Sequence, residues 1–527
     1  MVPQTKAYRQ RWIALVFMGI SLLVISLDNT VLNLALPSIA NELGSSASEL
    51  QWIVDAYVLS IAGLLLTMGY IGDRLGRKPV LIAGLVIFAL FSLGAALSNS
   101  TTMLIAMRAL MGIGAAIIMP ATLSILTATF RDPKERAQAI AMWAAVFALG
   151  MGIGPLIGGW LLDNFNWSSV FYINLPIAAI GIIGGYYFIE NSRAETARGI
   201  DFLGAVLSIG GFFSLVYAII QAGMDGWTAT HVLIAFGIAA VLLGVFVIWE
   251  LRAKNAMLPL HFFKNMSFTG ANVALTLVSF GLFGAFFFLG QYLQSVQDYT
   301  PFQAGVRLLP MAAVSFISAA GSAKIAQYIG TKLTVAAGIL IAGGGFFYLA
   351  QIAAVDTSYA QIAYAMSITS FGIGIVMSPA TNSVMGSIPV EQSGIGSALN
   401  NTTRQIGGAL GVAILGTILN STYLSNINAA QWPASLPQTA LDTIRSSIQG
   451  AHIVAQNMTN PQLAQMIVQV SNEAFISGAV HSLVVAAIIL TITAIITVFI
   501  LPKRVRPYEE KQETTGRNKN GAGQGRG

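Results

Sequence analysis

The chain has no cysteine, which excludes disulfides, Cys-ligated zinc and thiol chemistry but does not fix its compartment. Charge is nearly as scarce: Asp, Glu, Lys and Arg make up 9% of 527 residues, against about a quarter in a soluble domain. Its four histidines are scattered without ligand spacing, so no metal is expected. There is no Walker-type phosphate loop, hence no sign of ATP use, and no cofactor is expected. The formal net charge of +6 does not point to nucleic acid, because the basic residues lie in short connections and the tail.

What is plentiful is apolar surface. Hydrophobic residues are 55% of the chain, and the mean hydropathy is +0.72. These values describe a polytopic membrane protein whose core assembles inside the lipid bilayer. Membrane-length apolar runs fall near 12–35, 50–70, 79–98, 102–124, 137–161, 169–189, 202–221, 231–250, 268–293, 304–325, 333–352, 360–385, 394–419 and 477–501, fourteen in all. They are too long for barrel strands and show no alternating polarity, so an all-α membrane protein with 14 transmembrane helices is expected. The first run follows Lys6, Arg9 and Arg11 as a signal peptide would. It runs past the length of one, lacks a small-x-small cleavage site and is read as a retained span.

Lys and Arg set the orientation. With the N-terminus inside, Arg74, Arg77, Lys78, Arg131, Lys134, Arg136, Arg193, Arg252, Lys264 and Lys332 fall in inner connections, and the outer ones hold essentially only Arg445. An even span count then places both termini on the cytoplasmic side of the cell membrane.

The chain also echoes itself. Gly76-Arg77-Lys78 returns as Gly330-Thr331-Lys332, and Gly112-Ile113-Gly114 with Pro120-Ala121-Thr122 returns as Gly372-Ile373-Gly374 with Pro379-Ala380-Thr381. Parallel repeats of this kind imply two six-helix halves about an axis along the membrane normal. The expected division is an N-terminal bundle 1–192, an inserted pair of spans 193–264, and a C-terminal bundle 265–502. The last includes a long polar outer loop, 421–473, and a disordered tail occupies 503–527.

Against this background a few polar residues carry information. Asp28 lies inside span one, where an acid costs about 2.5–3.5 kcal/mol on insertion scales and is usually retained for a task. Asp55 lies in the outer part of span two, and Arg108 sits mid-span in the fourth run. Burial and a nearby cation push a carboxylate in opposite directions, so an acid balanced between them can load and release a proton. The plainer alternatives are an acid held by hydrogen bonds and an arginine held by backbone carbonyls. The run Gly69 to Lys78 reads as a short inner link in which Gly69, Asp73, Arg74, Gly76 and Arg77 could form a cytoplasmic gate, with Asp73 at a helix N-terminus. The alternative is that its cations only fix topology. In span five, Gly150, Gly154 and Gly158 share a face suited to close helix contact, Gly159 adjoins it, and Pro155 bends the helix. Trp52, Tyr57, Phe283 and Phe287, with Asn33 and Gln291, are candidate substrate contacts. Aromatics in membranes more often serve as packing or interfacial anchors.

Taken in order, these runs resemble the major facilitator superfamily, and within it the fourteen-helix drug:proton antiporters of the EmrB/QacA type. The likeness rests on the span-one run ending Ala35-Leu36-Pro37, the Gly69–Lys78 loop, the Arg108 segment, the Gly154-Pro155 motif, and the run from Trp167 to Pro176. It covers roughly residues 10–505. It implies alternating access, with proton entry driving export of small hydrophobic, often cationic compounds such as quaternary ammonium compounds, dyes or antibiotics. Asp28 and Arg108 would couple the proton, and Asp73 with Arg74 would form the gate. Some relatives carry extra acids in spans ten and thirteen; this chain has none there and carries Arg404 instead. A dedicated exporter of one metabolite, antibiotic or lipid, and a facilitator or symporter of the same fold, remain alternatives. A membrane enzyme would need a nucleophile, metal or acid pair, and none stands out. Expected partners are the cargo, protons and the lipid bilayer, with an adaptor protein added if the source has two membranes.

Overall fold

The computed structural model describes residues 6–45, 47–193, 201–253, 258, 260–433 and 436–503. Fourteen helices among them are long and apolar enough to cross a membrane. Within the described residues the first half comprises α1 (Lys6–Leu43), α2 (Ala47–Leu75), α3 (Arg77–Ala96), α4 (Thr101–Thr129), α5 (Pro133–Asn164), and α6 (Ser169–Tyr172) with α7 (Asn174–Phe188) as one span. Then come α8 (Phe202–Asp225) and α9 (Thr230–Arg252). The second half comprises α10 (Met266–Gln291, extended by a π turn to Val296), α11 (Pro301–Ile329), α12 (Thr331–Ile352), α13 (Tyr359–Gly386), α14 (Ser393–Ala429), α15 (Gln438–Ser446), α16 (Ile448–Gln456) and α17 (Pro461–Ile500).

The boundaries follow from local chemistry. Asp132 accepts from the Lys134 and Glu135 amides at the start of α5, and Asn460 does the same for Gln462 and Leu463 at α17. Thr300 and Gln303 close a capping box on α11. Gly76 and Gly330 are each the single residue between two helices, with φ of 106° and 88°, values that a side chain would strain.

The helices pack in two sets. Helix α1 lies on α5 and α7, α2 on α4, and α3 on α4 and α7; correspondingly α10 lies on α14, α11 on α13, and α12 on α13 and α17. The sets meet where α5 packs on α11 and α13, and where α2 and α4 pack on α14. Helices α8 and α9 pair with each other, and α8 rests on α2 and α14.

Backbone geometry repeats with the sequence. Arg77 N, just after Gly76, donates to Ser192 O (2.9 Å), and Thr331 N, just after Gly330, donates to Lys503 O (3.0 Å). In each set the chain leaving the last helix is thus pinned to the same one-residue turn. The second echo shifts register, however. A methyl on Gly114 would meet the Gly84 and Phe88 backbone of α3, while one on Gly372 would meet Gly338 and Ala342 of α12. Packing therefore pairs Gly114, not Gly112, with Gly372.

One expectation is corrected. The segment 421–473, read as a polar loop, is largely helical: α14 runs on to Ala429, α17 begins at Pro461, and α15 and α16 form a cap between them. Its polar composition hides a small apolar seam, for Ile444, Ile448 and Ala451 are buried, and Tyr423 Oη donates to Ile444 O (2.7 Å). The run Gly69–Lys78 is a short link, helical on both sides of the one-residue turn at Gly76, and Gly69 lets α2 approach Gly394 of α14 closely. The tail expected to be disordered lies, from 504 onward, outside the described residues.

Candidate functional site

Asp28 and Arg108 meet in the interior of the first helical set. Arg108 Nη1 donates to Asp28 Oδ2 at 2.6 Å, and the two residues are 1% and 3% exposed, so the pair is sealed from bulk water. Arg108 is satisfied from other directions too. Its Nε donates to Ile53 O of α2 (3.2 Å), and its guanidinium lies 4.1 Å from the centre of the Tyr57 ring. The other Asp28 oxygen accepts from Asn174 Nδ2 (3.2 Å), which also reaches Ser92 Oγ (3.1 Å), itself bonded to Phe171 O. One carboxylate therefore ties α1 to α4 and, through Asn174, to α7 and α3. Removing one partner of such a buried pair typically costs about 3–5 kcal/mol, since the other charge is left in low dielectric. Asp55 is also buried, on α2, two residues beyond the Ile53 carbonyl.

Asn174 was not singled out from the sequence. Its signal was its place in the Trp167–Pro176 run, as the one amide opening the mainly apolar helix α7.

The glycines of α5 flank this pair. A methyl on Gly150 would strike Ser26, one on Gly154 would strike Thr30, and one on Gly158 would come within 3.0 Å of Val31 Cγ1. These α1 residues bracket Asp28, so the stripe presses bare backbone against the helix that carries the acid. The other side of α5 faces the second set: Gly152 adjoins Ala312, Gly159 adjoins Phe302, and the Pro155 carbonyl abuts Gly305. Helix α5 is therefore a thin plate between the acid-bearing helix and α11.

The predicted gate residues gather where α2 meets α14. Asp73 Oδ2 accepts from the amides of Gly394 (2.8 Å) and Ile395 (3.2 Å), capping the N-terminus of α14. Arg77, one turn on, donates to Asp73 through Nη2 (2.7 Å) and Nε (2.9 Å), and Nη2 also reaches Val390 O across the junction at 2.7 Å. Both side chains are buried, and the two halves are latched together on this face. Gly69 lies against Gly394 with no room for a side chain on either. The geometry pairs Asp73 with Arg77 rather than Arg74, whose Nη1 has no hydrogen-bond partner among the described residues. Gly394 was missed; its only signal was its position opening span thirteen in Ser-Gly-Ile-Gly.

The proposed substrate contacts are not brought together. Trp52 stacks on Tyr217 of α8 (6.2 Å), Tyr57 is taken by Arg108, Phe283 packs against Gly408, and Gln291 accepts from Gln449 of the cap (3.2 Å). The side chains of Asn33 and Phe287 lie outside the described residues. A cavity of about 60 Å³ does lie between the sets. Its wall takes Phe147 and Met151 from α5, Leu282 from α10, Met311 and Ser315 from α11, Met377 from α13, and Arg404 from α14.

A buried acid–guanidinium pair, a glycine-faced helix beside it and a charged latch between two repeated helical sets make up a transporter's architecture, and known proteins agree. The Major Facilitator Superfamily pattern matches residues 18–412. Multidrug efflux pump LfrA of Mycolicibacterium smegmatis is 34% identical over 93% of this chain and 96% of its own length. Methyl viologen resistance protein SmvA of Salmonella typhimurium is 32% identical over 94% and 99%. Methylenomycin A resistance protein of Streptomyces coelicolor is 35% identical over 75% and 83%. Among solved structures, the human organic anion transporter MFSD10 (TETRAN) shares the fold, with a TM-score of 0.61 at 14% identity over 94% of this chain and 100% of that one. With that match spanning most of the chain, and with its paired halves in view, the protein belongs to the Major Facilitator Superfamily.

Proposed function

We propose that the protein is a proton-coupled exporter of hydrophobic small molecules, a secondary antiporter working by alternating access. Residues 1–192 and 265–502 would be the two moving bodies, and 193–264 an inserted pair. The observation that carries this reading is the sealed Asp28–Arg108 pair at 2.6 Å, backed by the α5 glycines. Relatives named for multidrug efflux and for resistance to methyl viologen and methylenomycin A support export over import.

The cycle follows from the contacts. The excess of Lys and Arg on its side supports a cytoplasmic position for the Asp73 latch, so with the latch closed the acid would wait for access from outside. A proton arriving at Asp28 cancels one charge of the pair. Arg108 keeps the Ile53 carbonyl and the Tyr57 ring, but α1 loses its tie to α4. Because α5 touches α1 and α11 through bare backbone, a small shift of α1 is passed to the junction without a cushioning side chain. The Asp73–α14 cap then parts and the site opens inward. Proton release restores the pair, and cargo takes the place of the proton in the return step. One charge moved through 100 mV supplies about 2.3 kcal/mol, against about 1.4 kcal/mol for each tenfold of accumulation. A single net charge per cycle therefore sustains a useful gradient.

Energised inverted vesicles test this directly. Addition of lipophilic drugs from a broad panel should collapse part of the interior acidity in vesicles bearing the protein and not in vesicles lacking it. A panel that leaves the pH gradient untouched throughout would remove the antiport reading.

A further inference from the structure

Arg404 is a buried cation with no anion to neutralise it among the described residues. It is 6% exposed, its Nε meets no hydrogen-bond partner, and it forms no ion pair among the described residues. Its nearest compensation is the Phe147 ring, 5.3 Å away, a contact worth about 0.5–2 kcal/mol. A guanidinium does not shed its proton at physiological pH, and an uncompensated buried charge costs several kcal/mol. The two other deeply buried arginines, Arg77 and Arg108, each hold a carboxylate and a backbone carbonyl. Arg404 holds neither and lines the cavity between the halves.

We propose that Arg404 is the counter-charge for an anionic group on the transported compound, so that this cavity takes amphiphilic organic anions such as carboxylates or sulfonates. This rests on the export reading above. The described wall of the cavity contains no acid. Ser315 and Ser370 offer hydroxyl donors to the same cavity, while Phe147, Leu282 and the flexible Met151, Met311 and Met377 form an adaptable apolar surface. A space of about 60 Å³ admits a charged headgroup with little else; the apolar body enters as the halves separate. The site is also mechanically placed. Arg404 lies ten residues beyond Gly394 on α14, about 15 Å along the same rigid helix whose end Asp73 holds. Phe147 sits one turn ahead of Gly150 on the glycine-faced α5. An anion bound here pulls on both elements that distinguish the latched state from the open one.

The test uses the full-length protein in phosphatidylcholine nanodiscs with two probes, radiolabelled deoxycholate as the anion and ethidium as the cation. The native protein should bind deoxycholate saturably. Arg404→Gln should weaken that binding about tenfold or more, the equivalent of about 1.4 kcal/mol, and leave ethidium affinity within about twofold. Arg404→Lys should recover most of the loss, since it restores the charge without the fork. Unchanged deoxycholate affinity in Arg404→Gln would overturn the proposal, as would equal loss of both probes, which marks a structural arginine. Displacement of deoxycholate by phosphatidic acid added to the nanodisc would assign the site to a lipid phosphate and overturn the cargo assignment. Failure of the two readings is separable: deoxycholate binding without drug-driven proton movement sinks the export reading alone, whereas ethidium export without deoxycholate binding sinks this one alone.

Discussion

Arg108 and Arg404 are the same side chain in two environments. Arg108 is wrapped by a carboxylate, a carbonyl and an aromatic face; Arg404 has an aromatic face and a void. In the first, two charges cancel, and the proposed cycle has the helix packing depend on whether a proton occupies Asp28. In the second, one charge is left standing where the two halves meet, and the packing depends on what else arrives. On the proposals made above, ion coupling belongs to the first set of helices and cargo recognition to the junction with the second.

Breaking the first environment should have the largest effect. Asp28→Asn should reduce proton-driven efflux by about a hundredfold or more and lower thermal stability by about 3–5 kcal/mol, while the amount reaching the membrane stays the same on an immunoblot. Gly154→Val comes next. The added atoms collide with Thr30, and overpacking of this kind costs about 1–3 kcal/mol; transport should fall about tenfold in vesicle assays, with α1 pushed from α5. Asp73→Asn should slow turnover several-fold without changing cargo affinity in equilibrium binding, because asparagine can still cap α14 but no longer pairs with Arg77. The smallest effect belongs to Asn174→Ala. It removes one hydrogen bond to Asp28, worth about 1 kcal/mol, and should lower the transport rate only a few-fold. A larger loss there than in Asp28→Asn would invert the assignment of roles.

A second contrast concerns the two one-residue turns. Gly76 and Gly330 share backbone conformation and the hydrogen bond that follows. Only the first carries a latch: Asp73 and Arg77 are buried, whereas the residues at the same offset from Gly330 are the exposed Gln327 and Thr331, which lacks charge. The repeat supplies the scaffold twice and, among the described residues, the buried ion pair once.

The helices were legible because hydropathy over about 20 residues is a strong signal, and all fourteen spans lie where the apolar runs place them. Asp28 and Arg108 were legible as costly residues, though only the fold shows that they meet. Elsewhere local pattern misled. Gly69 resembles a turn residue yet packs inside a helix against Gly394, since a close helix crossing and a tight turn both select glycine. The cap helices α15 and α16 are only nine residues each, stabilised by tertiary contacts that no local propensity reports. Asn174 and Gly394 act through neighbours more than a hundred residues away. For Arg404 the sequence gives the charge, but the missing partner emerges only from three dimensions.

The most direct measurement compares the native protein with Asp28→Asn in proteoliposomes, following cargo flux with and without an imposed pH difference. On this account the gradient accelerates flux by the native protein and leaves the variant's flux unchanged. Equal native flux with and without the gradient, or gradient-driven flux by the variant at the native rate, would contradict it.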